Sequence, residues 1–89
     1  MKPAIYFSSP EIELDCHAMN TLEVVDFLEK NFDSLYLRDI KFVRVICGHG
    51  TGVLRRAVQS YLESSRYVSN FTNHTFWNIE TGSFVVELI

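Results

Sequence analysis

The chain has 89 residues, of which 47% are hydrophobic, and its formal net charge at pH 7 is −3. These values fit one folded domain with a modest core, and they exclude both a disordered chain and a protein that coats nucleic acid nonspecifically through many Lys and Arg contacts. No apolar run is long enough for a signal peptide or a membrane span. We therefore expect an intracellular, cytoplasmic protein without a membrane partner, in which both cysteines stay reduced.

The N-terminal stretch is predicted to contain an arm followed by a strand. Residues 1–10 show no clear period and are predicted to form an extended arm, so that the folded domain covers residues 11–89. From Glu11 to Cys16, acidic and apolar residues alternate strictly, which is typical of a strand with one buried face. Glu13 and Asp15 should then lie on the open face of the sheet.

A helix is predicted next, over residues 21–36. Asn20 and Glu23 have the spacing of a capping box, in which each residue bonds the backbone N–H of the other. Apolar residues then recur at helical intervals. They are Leu22, Val25, Leu28, Phe32 and Leu35.

The stretch from Phe42 to Leu54 is the centre of the sequence. Phe42 to Cys47 is an apolar run suited to a central strand, and three glycines follow at every second position, within Gly48 to Gly52. An apolar helical pattern begins directly after them. Residues Gly48 to Gly52, called the elbow below, should expose backbone N–H groups beside the positive end of a helix dipole, which favours a phosphate. A glycine turn used only for close packing is the alternative.

The remaining chain completes an α/β fold. We predict a second helix from residue 53 to about 64, a third strand over 67–72, a turn-rich aromatic stretch over 73–82 and a fourth strand over 83–88. The order βαβαββ predicts a two-layer sandwich, with a four-stranded, mostly parallel sheet and two helices on one face.

Two separated motifs are expected to meet. Asp15 and His17 end the first strand, and the elbow ends the neighbouring parallel strand, so all should lie at the same edge of the sheet, where open α/β sheets bind ligands. Asp15 could orient His17, and His17 and His49 could divide the work of general base and general acid. The alternative is that Asp15 caps a turn and His17 is an ordinary surface residue.

Two positively charged side chains lie within a few residues of the elbow. Arg55 and Arg56 lie within one turn of it and are predicted to face water, because the apolar stripe of the helix is on its other side. They could contact a phosphate held by the loop, although a purely solvated helix face is the alternative for Arg56. Asp15 could also help to hold a Mg²⁺ together with a substrate phosphate. Other basic residues could extend this positive surface. They are Lys41, Arg44 and Arg66.

Two further groups have competing interpretations. A zinc site is suggested by four residues, Cys16, His17, Cys47 and His49. However, neighbouring strand residues point to opposite faces, and the spacing fits no zinc-finger pattern. We therefore predict that the two cysteines are buried thiols and that none of the four residues binds a metal. Aromatic residues near the C-terminus could stack on single-stranded bases or close the edge of the core. They are Phe71, Phe76 and Trp77.

The two motifs together carry a family resemblance. Leu14-Asp15-Cys16-His17 and Cys47-Gly48-His49-Gly50-Thr51-Gly52-Val53-Leu54-Arg55 resemble the small MutS-related (Smr) domain. The sequence departs from the usual pattern at Cys47, where the family has His or Thr, and at His49, where it has Lys or Arg.

The resemblance implies an endonuclease that acts on nucleic acid, with RNA at stalled ribosomes as one setting and DNA as another. The implied catalytic residues are Asp15, His17 and His49. The phosphate contacts predicted from the elbow and its spacing are Gly48, Gly50, Thr51, Gly52, Arg55 and Arg56, and the resemblance supports Arg55 among them. A non-catalytic RNA- or ribosome-binding module is the main alternative, and a binder of nucleotide phosphates is a third.

Overall fold

A computed structural model of the chain describes residues 12–48, 52–76 and 79–89, with the backbone alone at 74–76 and 79–81. The predicted arm lies outside the described residues. The elements are β1 (Glu13–Asp15), α1 (Thr21–Leu37), β2 (Phe42–Ile46), α2 (Val53–Ser64), β3 (Val68–Phe76) and β4 (Ile79–Leu88). This confirms the order βαβαββ. Within the described residues, neither helix is long and apolar enough to cross a membrane.

The four strands form one sheet in the order β1-β2-β4-β3. β1 pairs with β2 in parallel, whereas β4 pairs antiparallel with both β2 and β3. The predicted fold is confirmed, but its sheet is mixed rather than mostly parallel, because β4 returns directly from β3 as a hairpin and then lies against β2. This arrangement places the first half of β4 beside the end of β2 that leads to the elbow.

The β3–β4 hairpin is longer than the sequence predicts. Pairing extends to Phe76 and Ile79, so most of the stretch predicted to be turn-rich is strand. Two register shifts interrupt β3, one between Val68 and Asn70 and one between Asn73 and Thr75. Backbone pairing with β4 overrides the turn preference of the asparagines, and the shifts absorb the irregularity.

The capping box of α1 is confirmed. The backbone N–H of Glu23 donates to Asn20 Oδ1 at 2.8 Å, and that of Asn20 donates to Glu23 Oε1 at 3.0 Å. The predicted apolar face is wrong at its start, because Leu22 is 85% exposed and Val25 is 41% exposed. Helical spacing aligns a different set toward the sheet. These residues are Val24, Leu28, Phe32 and Leu35.

The core lies between the helices and one face of the sheet. The alternation predicted for β1 is confirmed, with Glu13 and Asp15 exposed on the opposite face. β2, which was predicted only as an apolar run, also alternates, between buried and half-buried residues. Buried side chains of β1, β2 and β4, and of the residues that follow β1 and β2, pack against α1 and α2. They are Leu14, Cys16, Val43, Val45, Cys47, Phe84, Val86 and Leu88.

Candidate nuclease site

Asp15 and His17 interact directly at the end of β1. Oδ1 of Asp15 lies 2.7 Å from Nδ1 of His17, and it also accepts the backbone N–H of His17 at 3.1 Å. Because an ionised carboxylate can only accept, Nδ1 carries the hydrogen in this pair, which leaves Nε2 as the nitrogen that can take a proton. The bond from the His17 backbone N–H also gives Asp15 the turn-capping role that was the alternative prediction. The same carboxylate therefore caps the turn and contacts the His17 ring.

The pair lies in water. The side chains of His17 and Asp15 are 64% and 55% exposed. The hydrogen bond from the His17 ring, followed by the bond from its backbone N–H, lowers the pKa of the Asp15 carboxyl below its usual value. Asp15 is therefore held as the anion that orients His17.

This lowered pKa predicts a pH-dependent contribution to stability. In the unfolded chain the Asp15 carboxyl titrates near its ordinary value of 3.8, so between that pH and the lower pKa of the folded state the unfolded chain binds a proton that the folded chain does not. The contribution is present above the ordinary value and is lost as the pH falls through the lower, folded value. We expect Asp15→Asn to flatten the acid side of a plot of unfolding free energy against pH.

Urea unfolding of both proteins across acidic pH, at low and high salt, measures this difference. It should be small and should shrink in salt, because both side chains are exposed. Superimposable acid limbs would show that the contact does not persist in solution.

The parallel pairing of β1 and β2 brings His17 to the elbow. Asp15 is in register with Ile46, and the N–H of Cys16 donates to the Ile46 carbonyl at 2.8 Å. Two residues farther along, Gly48 lies against His17, since a Cβ built on Gly48 would be 3.3 Å from the His17 Cβ. The structure therefore brings the first motif into contact with the first glycine of the elbow.

The rest of the elbow leads into α2. His49, Gly50 and Thr51 lie outside the described residues, so their roles stay predictions. Gly52 is the N-cap residue of α2 and, as a glycine, supplies no side-chain cap of its own. The predicted phosphate site is at this N-terminus of the helix, where backbone N–H groups favour an anion.

The two arginines differ in placement. Arg56 is exposed, whereas Arg55 is half-buried and its guanidinium carbon lies 5.9 Å from the centroid of the Phe84 ring. The expectation that both face water is wrong for Arg55, because it lies three residues before the buried Val58 and shares its side of the helix. Its charge also acts on the Cys47 thiol, just before the elbow.

Both cysteines are buried free thiols, as predicted. Burial is the main cause that raises the pKa of Cys16 to about 12 and that of Cys47 to about 11. Among the described residues, no group of three or more His, Cys, Asp and Glu side chains could hold a metal ion. His49 is not part of that set.

Of the three other basic residues predicted to extend the positive surface, two lie far from the elbow. Lys41 precedes β2 and Arg66 follows α2, so both lie beyond the N-terminal end of β2, at the end of the sheet opposite the elbow. Arg44 lies on the face of β2 that points away from the helices, with Nε 3.6 Å from the Glu13 carboxylate and Nη1 3.4 Å from Oγ of Ser83, the neighbour of Gly82. Among the described residues, positive charge near the elbow therefore comes from α2 and from Arg44.

The aromatic residues are placed only in part. Phe71 packs edge-to-face on Phe84, with 5.8 Å between ring centroids, which supports its role in closing the core. The side chain of Phe76 and the whole of Trp77 lie outside the described part of the chain, so stacking on bases stays a prediction for these two residues.

Gly82 is a residue near the site that the sequence analysis did not single out. Its carbonyl accepts two N–H groups, from Cys47 at 2.7 Å and from Gly48 at 3.0 Å. An isolated glycine in a strand-like stretch, here Thr81-Gly82-Ser83, was the available signal, since it often marks a close approach of backbones.

Comparison with known proteins identifies the family. Residues 14–89 match the sequence profile of the Smr domain. The chain belongs to the Smr domain family. The crystal structure of the Smr domain of Thermus thermophilus MutS2 has the same fold, with a TM-score of 0.80 at 23% identity, over 88% of this chain and 98% of that one.

Curated relatives of this Smr domain are much longer proteins. Endonuclease MutS2 of Acetivibrio thermocellus is 36% identical over 76 residues, which cover 85% of this chain and 10% of that protein. Endonuclease MutS2 of Carboxydothermus hydrogenoformans is 42% identical over 60 residues, which cover 67% of this chain and 8% of that protein. The chain thus spans about a tenth or less of the length of these two relatives.

Proposed function

We propose that this Smr domain is an endonuclease that cleaves phosphodiester bonds in RNA. The observation that carries the proposal is the Asp15–His17 pair, fixed at 2.7 Å and in contact with the first residue of a glycine elbow. An oriented imidazole beside a loop suited to phosphate is the arrangement that acid–base cleavage of a phosphodiester needs. The MutS2 relatives, which are named endonucleases, support the same reaction class.

The chemistry follows from the His17 tautomer. Nε2 of His17 takes the proton of a ribose 2′-hydroxyl, whose oxygen attacks the adjacent phosphorus, and the bond from phosphorus to the 5′-oxygen breaks. His49, assigned from sequence, donates the proton that the departing 5′-oxygen needs. The products are a 2′,3′-cyclic phosphate and a free 5′-hydroxyl, and no activated water is required.

The phosphate is held by backbone and by charge. The amides of Gly48 to Gly52 and the side chains of Arg55 and Arg56 are assigned to its non-bridging oxygens. RNA is the proposed substrate rather than DNA, because the internal 2′-hydroxyl nucleophile exists only in RNA. Action at stalled ribosomes in the cytoplasm is the proposed setting.

Incubation of the purified protein with labelled RNA, single-stranded DNA and duplex DNA, each with and without EDTA, tests the proposal. We expect cleavage of RNA, with cyclic-phosphate ends, that persists in EDTA. Loss of cleavage in EDTA would instead support a Mg²⁺ held by Asp15 and the substrate phosphate. Cleavage confined to DNA would refute the substrate, and binding without cleavage would favour a non-catalytic module.

Arg55→Ala should weaken RNA binding by removing one phosphate contact. Because phosphate contacts carry no sequence information, the loss should be similar for two unrelated RNAs. The slope of log affinity against log salt should become shallower by roughly 0.7 on single strands. Titrations at several salt concentrations measure both effects.

Arg66→Ala is the matched control, since Arg66 lies at the opposite edge of the sheet and should leave the slope unchanged. If the loss were confined to one RNA, Arg55 would be a base-reading residue rather than a phosphate contact.

A further inference from the structure

The turn from β2 into the elbow is built against a residue of β4. Gly82 immediately precedes Ser83, which pairs antiparallel with Ile46. Gly82 is buried, and its φ is +76°. Its carbonyl oxygen accepts the N–H groups of both Cys47 and Gly48. Two hydrogen bonds to one acceptor fix where the chain leaves β2.

The approach of the two backbones is closer than any side chain would permit. A Cβ added to Gly82 would lie 2.8 Å from the carbonyl oxygen of Gly48 and 2.9 Å from its carbonyl carbon. These atoms belong to the backbone and cannot rotate away, and the left-handed φ itself disfavours any residue other than glycine. A substitution at Gly82 must therefore displace Gly48.

Gly48 in turn meets the catalytic motif. Its φ is +82°, and the position of its missing Cβ lies 3.3 Å from the His17 Cβ, which is the one contact within 4 Å that the described residues make with it apart from its chain neighbours. Gly82, Gly48 and His17 thus form a continuous series of contacts that runs from β4, through β2, to the end of β1.

We propose that Gly82 is a positioning residue, which sets the place of His17 by holding Gly48 against it. The inference rests on the proposed role of His17 in cleavage. Gly82 touches no reacting atom in this scheme and acts only through Gly48. Misplacement of a reacting group by about 1 Å can lower a rate about 100-fold, so a small shift of Gly48 is sufficient to matter.

Gly82→Ala tests the inference, with Val86→Ala as the matched control. Val86 is fully buried in the same strand, so its truncation destabilises the domain without touching the elbow. In Gly82→Ala we expect the ¹⁵N signals of the His17 ring, which report the Nδ1–H tautomer, to change, and RNA cleavage to slow by about 10- to 100-fold. In Val86→Ala both should match the wild type while the protein is folded.

A poorly folded Gly82→Ala variant would be measured in trimethylamine N-oxide, which favours the compact state. If it still did not fold, Gly48→Ala would decide, because among the described residues its methyl group would meet only the His17 Cβ. Unchanged His17 ring signals in the folded variant, or in Gly48→Ala, would overturn the inference. The ring signals also separate it from the proposed function, since a wild type that does not cleave RNA leaves this readout intact.

Discussion

Replacing His17 with alanine should reduce RNA cleavage by about 10²–10⁴-fold, the usual contribution of a general acid or base. The fold should survive, because the side chain is 64% exposed and contributes little packing. Single-turnover rates at saturating RNA, together with urea unfolding, measure the two effects separately. A folded His17→Ala protein that cleaved at the wild-type rate would remove His17 from the mechanism.

Asp15→Asn is the informative companion to this variant. The amide is similar in shape to the carboxylate but can donate a hydrogen bond, so it can satisfy an unprotonated Nδ1 and favour the hydrogen on Nε2. Cleavage should then fall although His17 is intact. If Asp15→Asn cleaved normally, Asp15 would be only the turn cap.

Phe32→Ala should cost about 3–5 kcal/mol of unfolding free energy, the range for truncating a buried aromatic side chain. Phe32 is fully buried on α1, and its ring lies 5.8 Å from that of Tyr61 on α2, so it joins the two helices to each other as well as to the sheet. Because domains of this kind are stable by about 5–15 kcal/mol, the loss is a large part of the total.

Leu37→Ala is the control on the same helix. Leu37 is 75% exposed, and its truncation should change the unfolding free energy by no more than about 0.5 kcal/mol. Urea unfolding of both variants gives the comparison. Similar losses at the two positions would mean that the helix layer is not packed as described.

Local signals in the sequence predicted the local features well. The alternation from Glu11 to Cys16 predicted which side of β1 is buried, and Asn20 with Glu23 predicted the start of α1. Each of these signals is a contact between residues close in sequence, or a two-residue period, so it can be read without knowledge of the partner element. The meeting of His17 with Gly48 was also predictable, because parallel pairing of β1 with β2 puts their ends together.

Features that depend on partners distant in sequence were missed. Arg55 was predicted to face water because charge was taken as a guide, but Phe84 of β4 provides a surface on which its guanidinium packs. Gly82 was missed for the same reason, since its importance comes from Gly48, which is far from it in the chain. The buried face of α1 was predicted wrongly at Leu22, because more than one set of apolar residues in this sequence has helical spacing. Packing against the sheet determines which set is buried.

The two buried cysteines provide the domain with an internal reporter of strand opening. Cys16 and Cys47 are adjacent across the β1–β2 ladder, and each immediately adjoins a site residue, His17 in one case and Gly48 in the other. A thiol reagent needs an exposed thiolate, and burial denies both the exposure and the ionisation. The rate at which each thiol is labelled therefore measures how often that strand end separates from the core, and a comparison with global unfolding shows whether the elbow opens independently. A bound phosphate ligand that tightens the elbow would slow the labelling of Cys47 without any change in the covalent structure of the protein.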